Sequence, residues 1–157
     1  MSGFRRGVRL GIDVGKARVG VARCDPDGML AVPVETVPRS DASLTRLKEI
    51  ATEYEPLEFV VGLPVNMQGT DTPSTADARQ FAVALQQLTA IPVRLVDERL
   101  STVSAHAALR SSGRTQRNSR TIVDQVAAVV LLQHAIDTEK STGRPAGSVL
   151  PKTEESI

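Results

Sequence analysis

The stretch VRLGIDVG, residues 8–15, alternates between apolar and other residues in the way a half-buried β-strand does. The aliphatic residues Val8, Leu10, Ile12 and Val14 share one face. The other face carries Asp13 between Gly11 and Gly15, whose missing side chains leave space beside the carboxylate. An acid in the middle of a central strand is costly unless it is paired or binds a cation. We interpret Asp13 as a functional residue; an ion-pair partner of Arg18 or a turn residue is the alternative.

Strand and helix patterns continue along the chain from this first strand. Further strands are predicted at 19–24, 31–37, 59–64 and 93–97, and helices at 42–54, 73–89, 101–110 and 120–138. Three strands in an antiparallel meander followed by β-α-β crossovers predict an α/β protein, with a five-stranded mixed sheet and helices on both faces. Residues 1–139 are predicted to form one domain, and residues 140–157 a disordered tail.

Composition sets the broad class of the protein. The chain has 157 residues, of which 41% are hydrophobic and 24% charged, as expected for one soluble globular domain. No apolar stretch reaches the roughly 18 residues that a membrane span requires. A strand pattern, rather than a signal-peptide core, follows the basic residues at the start. The expected location is therefore the cytoplasm.

Few residues in this chain can bind a soft metal. A single cysteine, Cys24, and two histidines, His106 and His134, cannot build a thiolate or imidazole zinc site. Oxygen ligands must hold any metal, which favours Mg²⁺ or Mn²⁺. We interpret Cys24 as a buried packing residue, with a redox-sensitive or intermolecularly paired thiol as the alternative. The histidines are interpreted as ordinary surface or packing residues.

Three further acids are candidates to join Asp13. Asp97 and Glu98 follow the last predicted strand, and only one of them can face the same side of the sheet as Asp13; spacing alone leaves the choice open. Asp124 lies on an otherwise apolar helix, where a salt bridge with Arg120 is the alternative role. Carboxylates from a central strand, a strand end and a helix could hold two divalent cations about 4 Å apart.

Charge placement suggests a polyanionic partner. The net charge is only +1, but residues 100–123 contain no acid. The basic residues of that region include Arg110, Arg114, Arg117 and Arg120. Aromatic residues make up only 3% of the chain, which disfavours reading of single-stranded bases by stacking. A nucleic acid bound here would be recognised mainly through its backbone and shape.

Four blocks of sequence, in order, resemble the YqgF (RuvX-type) family of Holliday junction resolvases, which is also assigned to pre-16S rRNA processing. The blocks are LGIDVGKARVGVA at 10–22, VGLP at 61–64 with Asn66 and Gly69, DERLST at 97–102, and Asp124 with Ala127 and Ala128. Together they span residues 8 to about 135. No single block is decisive, but four in this order are highly specific.

The resemblance implies an RNase H-like fold and a set of functional residues. Asp13, Glu98 and Asp124 would bind Mg²⁺ or Mn²⁺, and Asp97 would have a structural role. Arg18 would meet a phosphate or pair with Asp13, and Asn66 would lie near the site or stabilise a turn. Relatives often carry lysines before the last helix where this chain has arginines, so the charge that would contact nucleic acid is kept.

Three functions are compatible with parts of this sequence. The leading hypothesis is a metal-dependent endonuclease that cuts Holliday junction DNA or the 5′ end of pre-16S rRNA; a symmetric homodimer would suit the junction, and a monomer the rRNA. The second is a nucleic-acid-binding factor that does not cut, for which a cluster of acids has no use. The third is an ATP-handling protein, because residues 13–15 are similar to the first phosphate loop of the actin and sugar-kinase superfamily. Those proteins need two such domains, and this chain has residues for one.

Overall fold

The computed structural model describes residues 3–98 and 116–151, and for residues 116–124 the backbone alone. The strands are β1 (Arg9–Val14), β2 (Arg18–Cys24), β3 (Ala31–Pro38), β4 (Glu58–Leu63), β5 (Val93–Asp97) and β6 (Ser148–Val149). The helices are α1 (Ser43–Tyr54), α2 (Pro73–Thr89) and α3 (Gln116–Thr142). The helix predicted at 101–110 lies outside the described residues.

The strands form one mixed sheet in the order β3-β2-β1-β4-β5-β6. β1, β4 and β5 are mutually parallel, whereas the β1-β2-β3 meander and the β5–β6 pair are antiparallel. The predicted α/β class, the meander and the mixed sheet are confirmed. The count of five strands was wrong, because β6 adds a sixth strand to the edge at β5.

The alternation of residues 8–15 corresponds to two hydrophobic cores, one on each face of the sheet. Leu10, Ile12 and Val14 are buried on the face covered by α1 and α2, with apolar residues that include Leu47 and Phe81. The opposite face is covered by α3, which packs Leu131 and Leu132 among others against Val60 and Val96. Asp13 therefore belongs to the α3 face.

Gly11 has a different role from the one predicted for it. A Cβ at this position would lie 2.9 Å from the Cβ of Leu132 and 3.0 Å from the carbonyl oxygen of Ala128. Gly11 thus lets α3 approach the sheet, rather than clearing space for a ligand beside Asp13. Gly15 serves the turn after β1, since a Cβ there would lie 2.7 Å from the Arg18 carbonyl oxygen.

Gly11→Ala is expected to destabilise the fold by about 1–3 kcal/mol, because the added methyl overpacks a contact made with helix backbone. Urea unfolding of the variant and the wild type would measure the difference. An unchanged midpoint would show that α3 shifts freely on the sheet and that its position is not fixed by Gly11.

The first part of the predicted disordered tail is ordered. α3 continues to Thr142, and β6 then pairs with β5. The N–H of Leu150 donates to the Val93 carbonyl at 2.8 Å, and both Leu150 and Ala146 are buried. The polar composition of the tail does not reveal this strand. Two apolar residues are enough to anchor the segment when the edge of β5 is available for pairing.

A buried ionic network lies at the N-terminal ends of the parallel strands, and sequence analysis did not find it. Its members are Arg5, Arg9, Glu58, Arg94 and Glu139. All of them except Arg5 are buried. Each of these salt bridges joins two different segments of the chain. The network therefore connects β1, β4, β5 and α3 at the end of the sheet opposite Asp13.

Candidate active site

Asp13 and Glu98 lie together at the C-terminal end of the parallel strands. Asp13 occupies the central strand β1 and pairs with Gly20 of β2. Glu98 follows β5, and its N–H donates to the Leu63 carbonyl of β4 at 3.3 Å. A hydrogen bond joins the two carboxyl groups. Ligands of open α/β sheets bind at this end of the strands.

Gly62 provides the space in which the Glu98 carboxyl group lies. A Cβ at Gly62 would collide with Oε2 of Glu98 and would lie 3.1 Å from Cδ2 of Leu131. The Glu98 side chain therefore crosses over β4 at Gly62 to reach Asp13 on the neighbouring strand. Sequence analysis did not single out Gly62, although a glycine inside the apolar run 59–64 signals a close approach of another group.

Asp97 does not share this arrangement. Successive strand residues face opposite sides, so Asp97 projects away from the face of Asp13, and it is exposed. The geometry thus brings Glu98, and not Asp97, to Asp13.

The electrostatics of the pair favour a cation. Burial raises the pKa of Glu98, and the charge and hydrogen bond of Asp13, with a smaller effect of Asp97, raise it further, to about 9. Two carboxyl groups in contact therefore retain a proton at neutral pH when no metal is bound. A divalent cation in place of that proton would neutralise both carboxylates, and oxygen donors are the ligands that Mg²⁺ and Mn²⁺ prefer. The residues present fit such an ion.

Asp124 is part of α3, and its side chain is outside the description. α3 runs antiparallel to β1: Glu139 bonds to Arg9 at 3.1 Å, and Ala128 packs on Gly11. Asp124 lies one helical turn before Ala128, so its backbone is at the Asp13 end of the sheet. Among the residues whose side chains are described, no group of three or more acids, histidines or cysteines is arranged to hold a metal.

The predicted nucleic-acid contacts are only partly described. Arg18 starts β2 and shares the face of Asp13, because Gly20, two residues later, pairs with Asp13. Arg110 and Arg114 lie outside the described residues, whereas Arg117 and Arg120 belong to α3 without described side chains. 

Asn66 has a visible structural role. Its Oδ1 accepts hydrogen bonds from the N–H groups of Gln68 and Thr70, both at 3.0 Å. These bonds, with the Gly69 N–H donating to the Asn66 carbonyl at 2.9 Å, fold the loop between β4 and α2. These contacts agree with the turn role considered for Asn66, and a role in binding nucleic acid stays a prediction.

Cys24 is fully buried, which agrees with the packing interpretation. Its Sγ accepts a hydrogen bond from the Arg9 N–H at 3.3 Å, and burial raises the pKa of the thiol. His134 is exposed on α3, whereas His106 lies outside the described residues. Within the part of the chain that the structure covers, no helix has the length and apolarity to cross a bilayer.

Comparison with known proteins gives consistent matches. The sequence model of the RuvX family, described as Holliday junction resolvase, matches residues 7–138. A protein of Clavibacter michiganensis subsp. michiganensis, named "Putative pre-16S rRNA nuclease", is 55% identical over 95% of this chain and 94% of its own length. A protein of Streptomyces coelicolor with the same name is 51% identical, over 92% of this chain and 88% of its own length.

A solved structure resembles the chain in fold. T. thermophilus RuvC in complex with Holliday junction substrate superposes with a TM-score of 0.56 at 18% identity, covering 88% of this chain and 98% of that one. At this identity the likeness concerns the fold alone, and it confirms the RNase H-like fold that the sequence motifs implied.

Proposed function

Since the chain belongs to the RuvX family of nucleases, we propose that it is a divalent-metal-dependent endonuclease that hydrolyses phosphodiester bonds in structured nucleic acid. The observation that carries the metal dependence is the hydrogen-bonded pair of Asp13 and Glu98 at the C-terminal strand ends, with space kept by Gly62. A non-catalytic binding factor would have no use for two acids held so close that one of them keeps a proton at neutral pH when no metal is bound.

Asp13, Glu98 and Asp124 would hold Mg²⁺ or Mn²⁺ in this proposal. The bound ion supplies a Lewis acid for the phosphate oxygens and lowers the pKa of the attacking water. Asp13 fixes the position of the site on the rigid central strand. Glu98 brings the second carboxylate from β5, and its half-buried position limits competing water. The third carboxylate would come from the helix that Gly11 admits to the sheet.

The basic residues would hold the nucleic-acid backbone. Lys16 is exposed in the turn after β1, and Arg18 follows it on the face of Asp13. With the arginines of 110–120, these side chains would neutralise phosphates near the acidic pair, and affinity should fall with rising salt.

We propose that the substrate is pre-16S rRNA rather than a four-way DNA junction. Relatives about 50–55% identical over most of the chain are named for pre-16S rRNA. The structure in complex with a Holliday junction is only 18% identical. A monomer would suffice for a single cut in RNA, whereas paired cuts in a junction would call for a homodimer.

The test is cleavage of a labelled precursor-rRNA mimic and a labelled four-way junction, with Mg²⁺, Mn²⁺ or EDTA, by the wild type and Asp13→Asn. Metal-dependent cutting of the RNA that vanishes in the variant supports the proposal. Cutting of the junction alone would reassign the substrate. Binding of either probe without cleavage under any metal would favour the non-catalytic alternative.

Gly62→Ala is expected to lower cleavage about 100-fold or more while the protein stays folded. The added methyl displaces the end of the flexible Glu98 side chain, and a misplacement of about 1 Å near the chemistry can cost a factor of that size. Single-turnover cleavage and thermal unfolding would measure the two effects.

A double variant provides the control for that prediction. Adding Gly62→Ala to Glu98→Gln should lower cleavage little further, because the carboxylate that Gly62 admits is already absent. Unaltered activity in Gly62→Ala would mean that Glu98 does not act from the position described.

A further inference from the structure

Arg39, just beyond β3, binds two separate segments of the chain at once. Its Nη1 donates to the Gly15 carbonyl at 2.9 Å and to Oδ2 of Asp77 at 2.9 Å, while Nη2 donates to Oδ1 of Asp77 at 3.0 Å. The guanidinium carbon lies 5.2 Å from the ring centroid of Phe81. Asp77 and Phe81 both belong to α2, so Arg39 connects α2 to the turn that follows β1.

The backbone of Arg39 also holds this turn. Its N–H donates to the Ala17 carbonyl at 2.9 Å, and the turn is closed by the Gly15 N–H donating to the Arg18 carbonyl at 2.8 Å. Residues 15–18 are thereby held at both ends of the turn, two residues after Asp13. The same turn presents Lys16 to solvent.

Asp77 is committed to this arrangement. The hydrogen bonds from Arg39, with a smaller effect of the Lys16 charge, hold the pKa of Asp77 below its ordinary value despite its partial burial. Asp77 is therefore ionised at neutral pH, and its charge is paired with Arg39 rather than left facing an incoming phosphate.

This ion pair contributes little to global stability. The Arg39 and Asp77 side chains are 25% and 37% exposed, and partly exposed pairs add only a small amount to the free energy of unfolding. Its planar, two-pronged geometry instead suits the positioning of one segment against another.

We infer that Arg39 is a positioning residue, which with Asp77 holds the 15–18 turn so that Lys16 and Arg18 meet the phosphates of the nucleic acid next to Asp13. The inference rests on the proposed nuclease function. It assigns Arg39 no contact with nucleic acid; the arginine acts through the turn.

The sign of one substitution separates positioning from direct contact. Asp77→Asn removes a negative charge and releases the Arg39 guanidinium. If Arg39 itself bound phosphate, affinity for nucleic acid would rise. If Arg39 positions the turn, affinity falls even though a negative charge has been removed. Asp71→Asn is the matched control. Asp71 is an acid just before α2 that pairs with Arg79, and its removal leaves the Arg39–Asp77 pair intact.

Binding would be measured with a labelled precursor-rRNA mimic and a labelled four-way junction, in a Glu98→Gln background that prevents cutting. Arg39→Ala and Asp77→Asn are each expected to weaken binding about tenfold, with the salt slope reduced by about 1–2, as for the loss of one or two phosphate contacts. Arg39→Lys should restore only part of the affinity, because a lysine ammonium lacks the planar, bidentate geometry with which the guanidinium donates to both Asp77 oxygens and to the Gly15 carbonyl. Asp71→Asn should bind at least as well as the parent.

Amide exchange tests the positioning itself, whether or not the protein is a nuclease. In Arg39→Ala the Gly15 amide should exchange at least about tenfold faster, since a charge-assisted hydrogen bond holding the turn is lost, while amides of β4 remain protected. Unchanged exchange at Gly15 would overturn the inference, as would full rescue by Arg39→Lys or a gain of affinity in Asp77→Asn. If the parent protein binds neither probe, the proposed function fails, and the phosphate-positioning role fails with it. If the parent binds but the variants do not behave as expected, only the inference about Arg39 fails.

Discussion

Glu98→Gln is expected to abolish cleavage and, at the same time, to stabilise the metal-free protein. Loss of a metal-binding carboxylate should reduce the rate by at least about 1,000-fold, since a catalytic ion supplies several kcal/mol of transition-state stabilisation. Glutamine keeps the shape of the side chain and can donate a hydrogen bond to Asp13 without taking up a proton on folding, which Glu98 must do at neutral pH. Cleavage assays and thermal unfolding of metal-free protein would measure the two effects.

The stabilisation should depend on pH in a defined direction. The pKa of Glu98 is raised from 4.5 to about 9 on folding, so the folded protein binds more protons than the unfolded chain between these values. Stability of the metal-free wild type should therefore fall as pH rises through this window, through the contribution of Glu98. The Glu98→Gln variant should lack that contribution.

Asp97→Asn is the matched control for Glu98→Gln. It removes an adjacent acid that projects from the opposite face of β5, so cleavage should stay within a few-fold of wild type. Loss of activity in Asp97→Asn with retention in Glu98→Gln would reverse the assignment of the two acids.

Glu139→Ala is expected to cost about 3–5 kcal/mol of the free energy of unfolding, because it leaves a buried cation without its partner. Glu139 accepts hydrogen bonds from the Arg5 guanidinium at 2.9 and 3.0 Å and from Arg9 at 3.1 Å. The Arg9 side chain is only 2% exposed, so water cannot replace the lost carboxylate. Denaturant unfolding at pH 7 measures the loss.

Asp27→Ala is the control for the buried network. Asp27 also pairs with an arginine, Arg6, at 2.9 Å, but both side chains are more than half exposed. The cost there should stay below about 1 kcal/mol. Equal losses in Asp27→Ala and Glu139→Ala would contradict the account of burial given for the network.

Acid should affect the wild type more than the Glu139→Ala variant. Burial raises the pKa of Glu139, but the hydrogen bonds and charges of Arg5 and Arg9 outweigh it and lower the pKa below 4.5. The stabilisation from the ionised form is complete above the unfolded value and is lost as pH falls through the lower, folded value. The variant has no such group, so its stability curve should be flatter in this range.

Local patterns predicted the central part of the fold. The period-two alternation of residues 8–15 assigned Asp13 to one face and the aliphatic core to the other, and the meander followed from the turn residues between strands. β6 could not be predicted in this way. Its pairing depends on a free edge at β5 and on the burial of Leu150, and both are products of the tertiary structure.

The site was predicted unevenly, for physical reasons. The strand period shows that Asp97 and Glu98 face opposite sides of the sheet. It does not show which of the two side chains passes over β4 to reach Asp13, because that depends on the space left by Gly62. The roles of Gly11 and of the Glu139 network were missed because both depend on the approach of α3, more than a hundred residues away in sequence. Arg39 and Asp77 also meet only through tertiary packing.

The central claim is that Asp13 and Glu98 together bind a divalent cation. Titration of the protein with Mn²⁺, followed by electron paramagnetic resonance in the absence of nucleic acid, tests it most directly in the wild type and in Asp13→Asn. The account predicts a specific Mn²⁺ site in the wild type that competes with Mg²⁺ and is weakened at least about tenfold in Asp13→Asn. Equal binding by the two proteins, or no binding by the wild type, would contradict it.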